Sequence, residues 1–171
     1  IAEAGNVFLP VFLSSKESSS HQVSDQMLKK FSLNKEKIPK RAVFSFRSFT
    51  LPIEEMLSAA RGVGNVNFAP DDDGLYRSLP LFFGRHSLIL PALPLAVVDY
   101  VKKELKMKAV PLDKSGRMII HFYGPSGTYK SYSVASIINS YAQLTEGKIP
   151  QVSPQEFKDK IILIGGSAPG L

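Results

Sequence analysis

Cysteine is absent from the 171 residues, so the chain has neither a disulfide framework nor a thiolate metal site. That absence suits an oxidising compartment, although many cytosolic domains share it. Long apolar runs are missing too: none approaches the ~18 residues that would mark a membrane span. No signal peptide opens the chain, which starts on Ile1-Ala2-Glu3-Ala4 and moves straight into strand-like sequence. So abrupt a start suggests an excised fragment. The three histidines, His21, His86 and His121, stand far apart with no ligand spacing. No Ser-His-acid set can be assembled from the pattern. No catalytic residue, metal or cofactor is therefore expected.

Charge of one sign is in excess but not gathered. Lys and Arg number 21 against 15 Asp and Glu, a net charge of +6. Nucleic-acid binding needs those charges clustered with aromatics or a known motif; here they are scattered, so no nucleic-acid partner is expected. The densest group, Lys102, Lys103, Lys106 and Lys108, falls at the end of an expected helix, where cations favour the dipole. Attraction to anionic lipid headgroups is another use for it.

What is present reads as a single α/β domain over residues 1–171, a mixed β-sheet flanked by helices, with no internal repeat. Strands are expected at Gly5–Leu13, broken or bulged at Pro10, at Ala42–Phe46, at Arg117–Tyr123 and at Lys160–Gly165. The last is a continuous aliphatic run of the kind buried on both faces of a sheet. Helices are expected after Ser24 as N-cap, from Pro52 to Gly62, from Leu93 to Leu105, and from Ser133 to Gly147. Lys35–Arg41, basic and carrying Pro39, reads as a connector, and Ser14–Ser20 as a polar loop.

The stretch 62–83 reads as a β-hairpin spanning about 64–83. Val66 and Phe68 alternate with Asn65 and Asn67. Pro70-Asp71-Asp72-Asp73-Gly74 supplies turn chemistry, and Leu75, Leu79, Leu81 and Phe83 share parity on the return. Pro80 cannot donate to a ladder, so that strand lies at an edge or carries a bulge. Asp73 and Arg77 are placed to pair across the turn. The three aspartates lack the further oxygen ligands that calcium needs.

Two glycine loops invite a phosphate reading. Gly124-Pro125-Ser126-Gly127-Thr128-Tyr129-Lys130-Ser131 lies between a strand and a helix. A phosphate-binding P-loop needs glycine immediately before its lysine, and Tyr129 stands there. Gly165–Gly170 contains Pro169, which removes an amide from any anion nest.

The string Pro70-Asp71-x-Asp73-Gly74-x-x-Arg77-x-x-Pro80-Leu81, after Gly62-x-Gly64-x-Val66-Asn67, resembles the signature of the second type of CHASE domain. These are sensory extracellular domains associated with cyclases and histidine kinases. The resemblance runs from about Ala2 to the last residue. It takes in Pro91–Val98, Ile119–Pro125 with Tyr132-Ser133, and Phe157–Gly165 with Ser167–Gly170. It implies a bacterial extracytoplasmic sensor, periplasmic or at the cell surface, in a cytoplasmic-membrane receptor. Its partners would be an unknown small molecule or other extracellular signal, its own transmembrane helices, and a cytoplasmic output domain. That output would be an adenylate cyclase, histidine kinase, serine/threonine kinase or diguanylate cyclase. The chain departs from the family in lacking an N-terminal anchor and a first strand-helix region.

Polar groups bordering expected strand ends make Asp73, Arg77, Tyr123, Ser126 and Tyr129 the candidates for ligand binding. Two rival readings accompany the sensor. One is a structural module that sets homodimerisation without a small ligand; the other is a phosphate- or nucleotide-binding enzyme using the Gly124–Ser131 loop.

Overall fold

The computed structural model describes residues 1–14, 21–103 and 105–166, the side chains of 21–24 excepted. The serine loop at 15–20, the capping side chain of Ser24 and the turn at 167–170 therefore lie outside the described residues. Two compact units make up the chain, Ile1–His121 and Phe122–Leu171.

The first unit mixes strands and helices, as the α/β reading expects. Its first ladder joins β1 (Phe8–Ser14), β3 (Ser48–Thr50) and β4 (Gly62–Asn65) in the order β3-β1-β4, antiparallel then parallel. A second joins β2 (Val43–Ser45), β6 (Phe82–Arg85) and β7 (Leu88–Pro91) in the order β2-β6-β7. A parallel bridge between Asn65 and Ala92 links the two ladders. β5 (Ser78–Pro80) pairs antiparallel with β8 (Arg117–Ile119). Helices α1 (His21–Lys29), α2 (Glu54–Ala59) and α3 (Leu93–Lys102) complete the unit. Val11, Leu28, Leu57, Val63, Phe82 and Leu90 are sealed in its core. Burying each such side chain contributes about 1.5–3 kcal/mol.

The hairpin at about 64–83 is not what forms. Its turn is present: Asp71 N–H donates to Leu75 O, Gly74 N–H donates to Asp71 O, and Gly74 holds φ 83°. The flanking segments find other partners. β4 ends at Asn65 and pairs with β1, whereas the return segment divides at Leu81 into β5 and β6. The division falls beside Pro80, where a missing N–H was expected to disturb the ladder. The hairpin that does form is β6–β7, closed by His86 at φ 52° and Ser87.

The expected alternation is also lost in the 62–65 part of this segment, where all four residues are buried, whereas Phe68 packs on the core and Asn67 is exposed. Asn65 is fully buried and Val66 only partly. A buried amide is tolerated when both its donor and its acceptor find partners. Asn65 Nδ2 donates to Asn67 O at 2.9 Å, and Asn67 N–H donates back to Asn65 Oδ1 at 3.1 Å. Asn67 Oδ1 in turn accepts from Leu13 N–H at 3.0 Å, extending the end of β1.

Pro10 neither breaks nor bulges its strand, contrary to expectation. β1 runs through it, and there it has a neighbour on one side only, because β3 joins from Phe12 onward. β3 itself was not foreseen; three residues are too short a pattern to separate from a loop. α1 begins at His21, three residues before the cap assigned to Ser24. α3 ends at Lys102 rather than Leu105. Lys103 enters the left-handed region at φ 61°, and its N–H donates to Asp99 O.

In the second unit α4 (Val134–Thr145) forms as its sequence dictates. Ser133 Oγ accepts from Ser136 N–H at 3.0 Å, and Gly147 ends the helix at φ 71°. Beyond it, Lys148 N–H reaches back to Gln143 O at 2.8 Å, the closing bond of a left-handed C-terminal cap. Buried Ser140 donates to Ser136 O and accepts from Val152 N–H at 2.9 Å, fastening the following segment to the helix. Two expected strands fall short. β8 stops at Ile119, and residues 161–166 belong to no strand among the described residues, with Leu163 89% exposed. An aliphatic run has strand propensity, but propensity expresses packing against neighbours, which the run's own sequence does not supply. Among the described residues, no helix is long and apolar enough to cross a membrane.

Gly64 of β4 lies directly against the start of α3. A Cβ there would collide with the backbone of Leu93, which cannot swing aside as a side-chain tip can. Gly64→Ala should therefore destabilise the chain by about 1–3 kcal/mol or more, read as a lower urea midpoint. An unchanged midpoint would show that β4 and α3 do not approach this closely.

Candidate functional site

The aspartate turn after β4 is held by one arginine. Arg77 donates Nη1 to Asp73 Oδ1 at 2.8 Å and Nη2 to Asp73 Oδ2 at 2.6 Å, a bidentate pair. Asp71 Oδ2 takes a further bond from Nη1 at 3.3 Å. Asp73 also accepts from Leu75 N–H at 3.2 Å, which closes an Asx turn. The Arg77 guanidinium and the Leu75 amide hold the Asp73 carboxyl below its usual range. The pair expected across the turn is thus present, and it spends the guanidinium on a structural task while leaving the side chain half exposed.

Tyr123, Ser126 and Tyr129, in the second unit, are all exposed. Their loop is shaped locally: Thr128 Oγ1 donates to Pro125 O at 2.6 Å, and Gly127 takes φ 86°. Lys130, the residue a phosphate loop would aim at its ligand, is paired instead with Glu156 Oε2 at 3.0 Å. The same oxygen accepts from Tyr132 OH at 2.9 Å, and the Tyr132 ring packs edge-on to Phe157. Lys130 and Tyr132 together draw the Glu156 carboxyl below its usual value, while donating to Glu156 raises the Tyr132 phenol.

Neither group lines a cleft of the first unit that the sequence did not bring together. Its walls are the Lys35–Lys37 and Lys40–Ala42 single turns, edge strand β2, and the β6–β7 hairpin. Its volume is about 470 Å³. Lys35, Lys40, Arg85 and His86 supply its cationic and imidazole groups. Arg85 is fixed in place: Nη1 donates to Asp25 Oδ1 at 3.3 Å, and the guanidinium lies 5.4 Å from the Phe49 ring centroid. The basic connector and the Gly84-Arg85-His86-Ser87 turn were each visible in the sequence. Nothing in it showed that parallel pairing of β2 with β6 would set them face to face. A second cavity, about 270 Å³, lies under α3 among Leu81, Leu95, Val98, Leu105 and Met118. Its lining is almost wholly apolar. Among the described residues no group of His, Cys, Asp and Glu is placed to hold a metal ion.

Both carboxylate clusters predict a titration. Asp73 and Glu156 hold protons less tightly in the folded chain than in the unfolded one. Their contribution to stability is therefore present above the ordinary carboxylate range and lost as pH falls through the lowered folded values. In Arg77→Gln the Asp73 carboxyl should titrate nearer its usual range, followed by carboxyl-detected NMR. In Glu156→Gln the Tyr132 phenol should ionise at lower pH than in the parent chain, read by ultraviolet difference titration. Unmoved midpoints would mean that these contacts do not persist in solution.

With the geometry in place, the comparisons with known proteins bear on identity. No curated protein and no solved structure matches the chain. A family model, the CHASE2 domain, matches residues 2–171. That span contains the Asp71–Arg77 turn, the basic cleft and α4. CHASE2 domains are extracellular sensory modules of receptors, not catalytic ones, and this chain belongs to the CHASE2 domain family.

Proposed function

We propose that this chain is the extracytoplasmic input domain of a bacterial transmembrane receptor. The observation that carries this reading is the family match over residues 2–171. The receptor's membrane helices would read a change in this domain and pass it to a cytoplasmic adenylate cyclase, histidine kinase, serine/threonine kinase or diguanylate cyclase. A signal can drive such a switch only by binding one of two arrangements more tightly than the other. Tyr129 in the place of the glycine that must precede the lysine speaks against the rival phosphate-loop enzyme, and Lys130 is turned to Glu156 instead.

A second reading, a module that sets homodimerisation, is favoured by one observation. Val134, Ile138 and Tyr141 recur at helical spacing along α4, and all three are exposed. An apolar helix face of this kind suits association with a second copy. Sedimentation over a concentration series separates the readings: self-association abolished by Ile138→Asp and indifferent to added ligands favours dimerisation alone.

The sensor reading is tested by the native gene on either side of these residues. Apolar spans flanking the domain, followed by a cyclase or kinase domain, are expected. A reading frame with no membrane span near this domain would overturn it.

A further inference from the structure

We infer that the cleft between the basic connector and the β6–β7 turn is a binding site for a small organic anion. Its volume, about 470 Å³, falls within the ~300–1,000 Å³ of small-molecule sites. The chemistry of its wall is divided. Ile38, Val43, Leu88 and Ile89 provide aliphatic surface, of which Ile38, Leu88 and Ile89 are buried. Lys35, Lys40, Arg85 and His86 provide the polar margin, joined by Ser45, and no carboxylate lines the cleft among the described residues. Asp25 answers the charge of Arg85; no lining acid answers the two lysines.

Such a wall selects by class. A carboxylate or phosphate group would accept charge-assisted hydrogen bonds from the lysines. A carbon skeleton would pack against half-buried Val43 and the edges that Ile38, Leu88 and Ile89 present to the cleft, a contact that a bare inorganic ion cannot make. A neutral ligand could accept hydrogen bonds from the two ammonium groups but would give up the stronger attraction of an ionised acceptor.

The frame is also pre-formed, which lowers the ordering cost of binding. Ile89 is held from both sides of its peptide: Ile89 N–H donates to Ser32 Oγ at 3.0 Å, and Leu33 N–H donates to Ile89 O at 2.8 Å. Gly84 packs closely on the Val43 side chain, where a Cβ would lie 2.5 Å from Val43 Cγ1. Asp25 and Phe49 fix the Arg85 guanidinium. The exposed side chains of Lys35, Lys40, Ser45 and His86 are left to adjust around a ligand.

The inference deepens the sensor reading and rests on it only for what binding would signal. Isothermal titration of the 171-residue chain at low salt tests the site itself, with succinate and glycerol 3-phosphate as probes and glycerol as the neutral control. Saturable binding of an organic anion is expected, with inorganic phosphate weaker and glycerol silent. The double variant Lys35→Ala/Lys40→Ala should bind at least about tenfold more weakly, and Lys35→Arg/Lys40→Arg should retain most of the affinity. Both lysines are exposed, so neither variant threatens folding. Binding unchanged in the alanine variant, or no saturable binding by any probe, overturns the site. Inorganic phosphate binding as tightly as succinate overturns the organic ligand. Lysine-dependent sedimentation with phosphatidylglycerol vesicles, while every soluble probe fails, overturns it in favour of a membrane surface. Output of the intact receptor then separates the two claims. A chain that binds the anion in a receptor that ignores it would refute sensing of this ligand and leave the site standing.

Discussion

The close approach of β4 to the start of α3 sets the architecture of the first unit. Gly64 has no side chain, so the backbone of Leu93 can lie on it, and one residue later Asn65 bridges to Ala92. At that bridge the ladder β3-β1-β4 is continued by the ladder β2-β6-β7. The same residue carries a polar side chain into the interior, where it is stable only because Asn67 meets both ends of its amide. Asn67 then uses its own oxygen to hold β1. Steric room at one position and hydrogen-bond completeness at the next are thus coupled along the four residues 64–67.

The ionic groups divide into those consumed by structure and those turned outward. Arg77 is occupied by Asp71 and Asp73, and Lys130 by Glu156. Arg85 belongs to both kinds, because Asp25 fixes it while it borders the cleft. Exposed ion pairs of the first sort contribute little to stability. They fix the local geometry of the segments that carry them instead. The cleft beside edge strand β2 combines an apolar wall with a few cationic side chains at its margin, the division of labour found in small-ligand sites.

Much of this was legible in the sequence where the signal is local. Ser133 and Gly147 bound α4 as their capping chemistry requires, and the Pro70–Gly74 turn closes as its aspartates and glycine dictate. Pairing was not legible. The hydrophobic run at 79–83 says that a strand is buried, not that it divides and takes β8 on one part and β2 and β7 on the other. Among the site residues, Asp73 and Arg77 are four apart and meet through a turn the sequence encodes. Lys35 and Arg85 are fifty apart and share a cleft only because two strands align.

What the sequence determined by itself was therefore family membership, the α/β class, the capped helix α4 and the turn chemistry, all consequences of order and short-range spacing. Tertiary structure decided which strands are neighbours, that Asn65 faces inward, and that a basic connector meets a basic turn across an apolar wall. The physical reason is one of range. A cap or turn satisfies its hydrogen bonds within a few residues, whereas a strand leaves its backbone groups to be satisfied by a segment that its own sequence does not specify.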